Sequence, residues 1–184
     1  DYVEMTWAMA CRVQEHGHEI RLDTEVRNLQ TSSNSVAIST THGTLKARRV
    51  VNCAGLHADR IAEMVDGVKL DAQIVPFRGE YYELIPERRS LCQDLIYPVP
   101  DPAFPFLGVH FTRMVDGRVE CGPSAVLAFA REGYSLSEVQ WDELREVLTF
   151  EGFHRLAADH WPQGARELLQ SMSKRAYVSA ARHL

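Results

Sequence analysis

His110, Thr112 and Arg113 stand within four residues of one another in the string IYPVPDPAFPFLGVHFTRMVDG, residues 96–117. Histidine is the side chain best suited to taking up a proton near neutral pH. Arginine is the one best suited to gripping a carboxylate through two parallel hydrogen bonds. The run GVHFT reads as a strand, whose alternation puts His110 and Thr112 on one face and Arg113 on the other. A lone strand histidine also serves as a hydrogen-bonded core residue, and spacing alone leaves both readings open. The same string holds four of the chain's eight prolines. Each fixes φ near −65° and biases its predecessor toward extended geometry, so Pro98, Pro100, Pro102 and Pro105 predict a stiff, extended bend before the strand. Stiffness lowers the entropy lost when a side chain is held for chemistry.

Two further strings could carry a site. IVPFRGEYYEL puts Arg78 and Gly79 between apolar segments, where the arginine could clamp a carboxylate or lie on the surface at a β-bulge. VVNCAGLHADRIA reads as a strand, a turn of small residues and a helix. Cys53, Ala54 and Gly55 would let a nucleotide or flavin approach the backbone near unpaired helical N–H groups. A plain tight β-α turn hinged at Gly55 explains the same residues, leaving Asp59 and Arg60 as first-turn polar groups. Val26 opens a strand and by itself shows only strand propensity. The eight histidines show no metal-ligand spacing, and no metal site is expected. Neither a G-x-S-x-G nucleophile elbow nor a G-x-G-x-x-G phosphate loop occurs.

The elements that must position these residues fall into two groups. Residues 2–16 have helical spacing through Val3, Trp7, Ala10, Cys11 and Gln14, stopped by Gly17. Short β-type runs follow at 19–22, 25–31, 35–40, 44–47 and 49–52, with TSSNS and THG as turns. From Leu70 the chain becomes strand-rich through DAQIVPF, EYYELIP, LIYPVP, FLGVHFT and RVECGP, which predicts a largely antiparallel sheet. SLSE at Ser135–Glu138 fits a capping box opening a helix to Phe150, with one or two more helices beyond Phe153, punctuated by Pro162 and Gly164. The fold class expected is α+β: an α/β part plus a mixed, largely antiparallel sheet. Residues 1–67 form the first domain and 68–184 the second.

Composition narrows the function. With 184 residues, 45% hydrophobic and 24% charged, the chain can bury a real core. A net charge of −5 argues against a nucleic-acid surface. No run approaches a membrane span, which leaves peripheral membrane contact open. The four cysteines lack any C-x-x-C and read as free thiols of a reducing compartment. The opening DYVEM and closing SAARHL suggest a piece of a longer protein.

Taken together, VVNCAGLHADRIA, VPFRGEYYEL, the long proline-rich string and GPSAVLAFAREGY resemble the L-2-hydroxyglutarate dehydrogenase/oxidase family, flavoproteins of the D-amino-acid-oxidase-like superfamily. The likeness is strongest over 50–134 and weak after about Phe150. It implies a fragment of a two-domain FAD oxidoreductase: a partial FAD-binding domain, then a substrate domain. The implied reaction takes L-2-hydroxyglutarate to 2-oxoglutarate, with hydride passing from C2 to the flavin and electrons leaving to quinone or oxygen. It further implies that Val26 meets the adenine through its backbone and that Cys53, Ala54 and Gly55 line the FAD. His110 would take the hydroxyl proton, and Arg78 would bind a substrate carboxylate, with Tyr97, Thr112 and Arg113 beside it. A cytoplasmic location, with peripheral contact on the inner membrane, goes with this reading.

The sequence departs from the family pattern in lacking the amino-terminal glycine-rich loop and the carboxy-terminal segment that closes the flavin site. It also has Ser124 where asparagine is expected, which puts a polar role there in doubt. The isolated piece is therefore expected to bind FAD weakly or not at all and to be inactive. Two alternatives stand beside this reading: another amino-acid or glycerol-phosphate oxidase of the superfamily, and a non-catalytic interaction domain.

Overall fold

The structure, a computed structural model, describes residues 1–99 and 108–182. It divides into two compact units, Asp1–Ile74 and Val75–Leu184. Pro100, Pro102 and Pro105 lie outside the described residues, as does most of the expected bend.

The first unit opens with helix α1, Tyr2–Glu15, capped by the Asp1 carboxylate, which accepts the N–H groups of Val3 and Glu4. The helical spacing seen in the sequence is real, yet Trp7 on that stripe is 68% exposed and the helix buries nothing. Strands β1 (Val26–Thr31), β2 (Val36–Thr40) and β3 (Gly43–Ala47) follow as an antiparallel meander in that order. Leu29, the buried residue of β1, bridges Val65 in the parallel sense, joining the meander to the chain beyond helix α2 (Ala58–Glu63).

Two expected strands do not form here. Residues 19–22 stay irregular: Arg21 reaches back to the Glu19 carboxylate, and the positive φ of Asp23 turns the chain immediately after. Residues 49–52 join no ladder among the described residues, and a strand without a paired neighbour leaves its backbone groups unpartnered. The turn that follows is held instead by a short 3-10 segment, Gly55–His57, leading into α2.

In the second unit, β4 (Phe77–Glu83), β5 (His110–Arg113) and β6 (Val119–Leu127) form an antiparallel sheet in the order β4-β6-β5. The two runs expected from DAQIVPF and EYYELIP are thus one strand. Pro76 cannot donate to a ladder, and its carbonyl accepts Ala128 N–H just where β4 begins. LIYPVP contributes one bridge, Ile96 to Phe111, with both hydrogen bonds at 2.9 Å.

The central strand carries a bulge. Between Glu80 and Tyr82, β4 advances two residues while β6 runs three, from Ser124 back to Cys121. Directly opposed residues share a face. Arg78, Glu80, Tyr82, Phe111, Cys121, Ser124 and Val126 therefore lie on one face, while Gly79, Tyr81, His110 and Gly122 lie on the other. The first face is the covered one: Tyr177 packs on Tyr82 with ring centroids 4.4 Å apart, and its hydroxyl donates to the Cys121 carbonyl. On the second, Gly79, Tyr81 and Glu83 are exposed.

Three helices follow: α3 (Trp141–Thr149), α4 (Glu151–Met172) and α5 (Lys174–Ala181). The expected capping box does not open α3. The Glu138 carboxylate accepts Tyr134 N–H at 2.6 Å, and Gln140 N–H is tied to the Phe129 carbonyl, so the helix starts at Trp141. Pro162 bends α4 rather than ending it. It has no N–H to give and crowds the preceding turn, and His160 takes non-helical angles of φ −123° and ψ 17°.

Candidate functional site

On the open face of the second sheet, His110 begins β5 opposite Gly122. Its Nδ1–H donates to the Gly108 carbonyl at 3.1 Å. A carbonyl can only accept, so this bond fixes the tautomer of the neutral ring and leaves Nε2 with its lone pair. The Tyr97 ring stacks on the imidazole with centroids 4.3 Å apart and planes inclined by 21°. The Tyr97 hydroxyl and Thr112 Oγ1 share a hydrogen bond of 3.4 Å. His110 and Thr112 share a face as the strand alternation predicts, and the segment bridged at Ile96 brings the Tyr97 ring and hydroxyl to them.

The two arginines do not join them. Arg78 is buried on the covered face, where Nε and Nη2 donate to Glu80 Oε1 at 3.1 and 2.8 Å. Its Nη1 is also buried, without a hydrogen-bond partner among the described residues. Neither the surface position nor a clamp beside His110 is what the structure shows. The bulge sets the two residues on opposite sides of the sheet, and Glu80, two residues along the same strand face, takes the guanidinium. Arg113 donates from Nη1 to the Cys92 carbonyl at 3.3 Å, tying β5 to the chain beyond the 3-10 segment Pro86–Leu91.

One open-face residue escaped the sequence reading. Tyr81 lies across Gly79 and Gly122: a Cβ on Gly122 would come within 2.5 Å of its ring, and one on Gly79 within 3.1 Å. Desolvation first, then the Glu120 charge and Tyr97, raise its hydroxyl pKa above the usual tyrosine value. The adjacent tyrosine pair in EYYEL was visible, but the seat comes from a distant strand.

Ser124, expected as a departure from a polar role, is fully buried and donates to Gln170 Oε1 at 3.3 Å. Nearby, Glu167 Oε2 accepts Ala125 N–H at 3.1 Å, a donor beyond the reach of β5, whose pairing ends at Gly122. Burial pushes the Glu167 carboxyl up. A cavity of about 350 Å³ opens beside it between β6 and α4, lined mainly by apolar side chains such as Phe77, Leu127, Phe129, Phe153 and Trp161. It is apolar space between layers and holds no group of the His110 cluster.

In the first unit, Cys53, Ala54 and Gly55 are all exposed. Gly55 has φ +55°, and a Cβ there would meet nothing within 4 Å. That left-handed angle favours glycine, and the open space would admit a ligand to the backbone. Asn52 holds the turn, with Oδ1 accepting Ala54 N–H and Nδ2 donating to the Ala58 carbonyl. Asp59, read from sequence as a simple first-turn residue, is buried and accepts Ile74 N–H at 3.1 Å. Val26 is half-buried at the start of β1, beside the register shift before Asn28. The exposed backbone of Cys53, Ala54 and Gly55, with open space above Gly55, leaves room for a flat cofactor edge.

Among the described residues, no group of three or more His, Cys, Asp or Glu could hold a metal ion. No described helix is long and apolar enough to cross a membrane.

Comparison with known proteins gives a consistent family. The family model described as FAD dependent oxidoreductase matches residues 1–178. The chain is 46% identical over 184 residues to the L-2-hydroxyglutarate dehydrogenase of Indibacter alkaliphilus, covering all of this chain and 46% of that protein. It is 43% identical over 178 residues to the enzyme of the same name from Escherichia coli strain K12, covering 96% of this chain and 42% of the relative. Against the mitochondrial L-2-hydroxyglutarate dehydrogenase of Mus musculus it is 41% identical over 183 residues, covering 93% and 39%. The chain thus spans less than half the length of these curated relatives.

Proposed function

Because the chain belongs to the FAD dependent oxidoreductase family, we propose that it forms part of an enzyme oxidising L-2-hydroxyglutarate to 2-oxoglutarate. The observation that carries the reading is His110, its tautomer set by Gly108 and its ring stacked by Tyr97 on the open face of the sheet. The names of the relatives support the choice of substrate.

Oxidation of a secondary alcohol removes the hydroxyl proton and, with the C2 hydrogen, two electrons; bound FAD supplies the electron-pair acceptor. The proton falls to this chain. His110 Nε2 accepts it, and the Nδ1–H···O bond to Gly108 steadies the imidazolium that results. The Tyr97 and Thr112 hydroxyls hold the substrate beside it, and the stacked ring keeps the imidazole in one plane. In the first unit, the exposed backbone of Cys53, Ala54 and Gly55 would receive the cofactor, with Val26 at the adenine. In this reading Arg78 supports the sheet from its covered face and carries no substrate.

Quinone or oxygen takes up the electrons, and the protein works in the cytoplasm with peripheral contact on the inner membrane. The substrate assignment is tested by anaerobic reduction of the flavin in the full-length protein. Bleaching by L-2-hydroxyglutarate and not by its D-enantiomer is expected. Bleaching only by an amino acid or a glycerol phosphate would replace this substrate with another of the superfamily's.

A further inference from the structure

We propose that Tyr81 is a substrate-positioning residue, its hydroxyl joining those of Tyr97 and Thr112 to bind a carboxylate of the hydroxy acid; this rests on the function proposed above.

Placement comes from the bulge. Glu80 and Tyr82 are matched across the ladder to Ser124 and Cys121, and Tyr81 between them has no directly opposed residue. Its ring therefore lies along the sheet, over Gly122, the residue opposite His110. Both walls of the seat are glycines, and side chains at either would displace the ring. An aromatic packed against backbone in this way has little rotational freedom, yet Tyr81 is still 51% exposed. A large side chain both held in place and open to solvent is arranged for a contact outside the sheet.

Chemistry gives the contact its class. A neutral phenol donates to a carboxylate, and burial together with the charge of Glu120 keeps this one protonated. The cation nearest Glu120, Arg118, is engaged by Asp116 at 2.7 Å and lies 3.6 Å from Glu120 itself. With Arg78 committed to Glu80 on the other face, hydroxyl donors among the described residues remain to recognise an anion on the His110 side. Tyr81, Tyr97 and Thr112 offer neutral hydroxyls on the face that also carries Glu120, whose charge Arg118 offsets, and a carboxylate accepts several such hydrogen bonds.

The test uses Tyr81→Phe in the full-length, flavin-loaded enzyme, which keeps the ring and deletes the hydroxyl. KM for L-2-hydroxyglutarate should rise about tenfold or more, the usual effect of losing one hydrogen bond to a charged group, with kcat within about twofold. Glutarate, a dicarboxylate that cannot be oxidised at C2, should perturb the flavin spectrum with a Kd weakened by a similar factor. Unchanged KM and glutarate affinity would overturn the proposal, and so would a fall in kcat alone. Loss of flavin from the variant would make Tyr81 a packing residue and overturn it equally. If the wild-type flavin is not reduced by L-2-hydroxyglutarate, the parent reading fails, while glutarate titration of both proteins still judges the hydroxyl.

Discussion

Arg78 and His110 face opposite sides of one three-stranded sheet. On an unbroken ladder Gly122 and Val126 would share a face, and so would the residues opposite them, His110 and Arg78. The bulge between Cys121 and Ser124 reverses that parity. The result separates the His110 imidazole on the open face from the Arg78–Glu80 ion pair on the covered one.

Replacing His110 by glutamine in the full-length protein should lower kcat by about 10²–10⁴, the usual contribution of a positioned acid–base group. Flavin content, read from the absorbance of the purified protein, should stay as in wild type. Turnover near the wild-type rate would remove His110 from the mechanism.

Arg78→Met leaves the Glu80 carboxylate without its partner. Removing one member of a buried pair costs about 3–5 kcal/mol, and the partial exposure of Glu80 points to the lower end. The double variant Arg78→Met with Glu80→Leu should recover most of that loss. Denaturant midpoints for the two single variants and the double one complete the cycle.

Glu167 makes stability depend on pH. Desolvation is the main cause holding its carboxyl above the ordinary 4.5, opposed by the Ala125 N–H and Ser124. Between 4.5 and the raised folded value the native state binds more protons than the unfolded chain, so stability falls as pH rises through that window. Glu167→Gln should flatten this part of a melting-temperature profile. An equally steep profile in the variant would assign the effect to other groups.

Gly122→Ala puts a Cβ 2.5 Å from the Tyr81 ring and 2.9 Å from the Glu80 carbonyl oxygen. The backbone contact cannot be relieved by rotating a side chain. Overpacking of this kind costs about 1–3 kcal/mol, and thermal unfolding should show the loss.

Much of the architecture was legible because local rules and tertiary contacts agree. Apolar residues at helical spacing ahead of Gly17 gave α1, and turn residues around short β-type runs gave the meander. Elements failed where a local signal met a stronger tertiary bond. The serine and glutamate of SLSE could cap a helix, but Gln140 is tied to Phe129, which moves the start to Trp141. Residues 49–52 have strand composition but no ladder partner among those described.

The sequence by itself determined the residue types and alternation that put His110 and Thr112 on one strand face, and the glycine that lets the turn at 53–55 stay open. Only the tertiary structure decided which side of the sheet each strand residue meets, because the parity of β6 depends on one extra residue in its pairing with β4. It also decided that Arg78 belongs to Glu80 and that Tyr81 rests on Gly122. The physical reason is that a bulge is a property of two paired strands, so neither strand's own residues announce it.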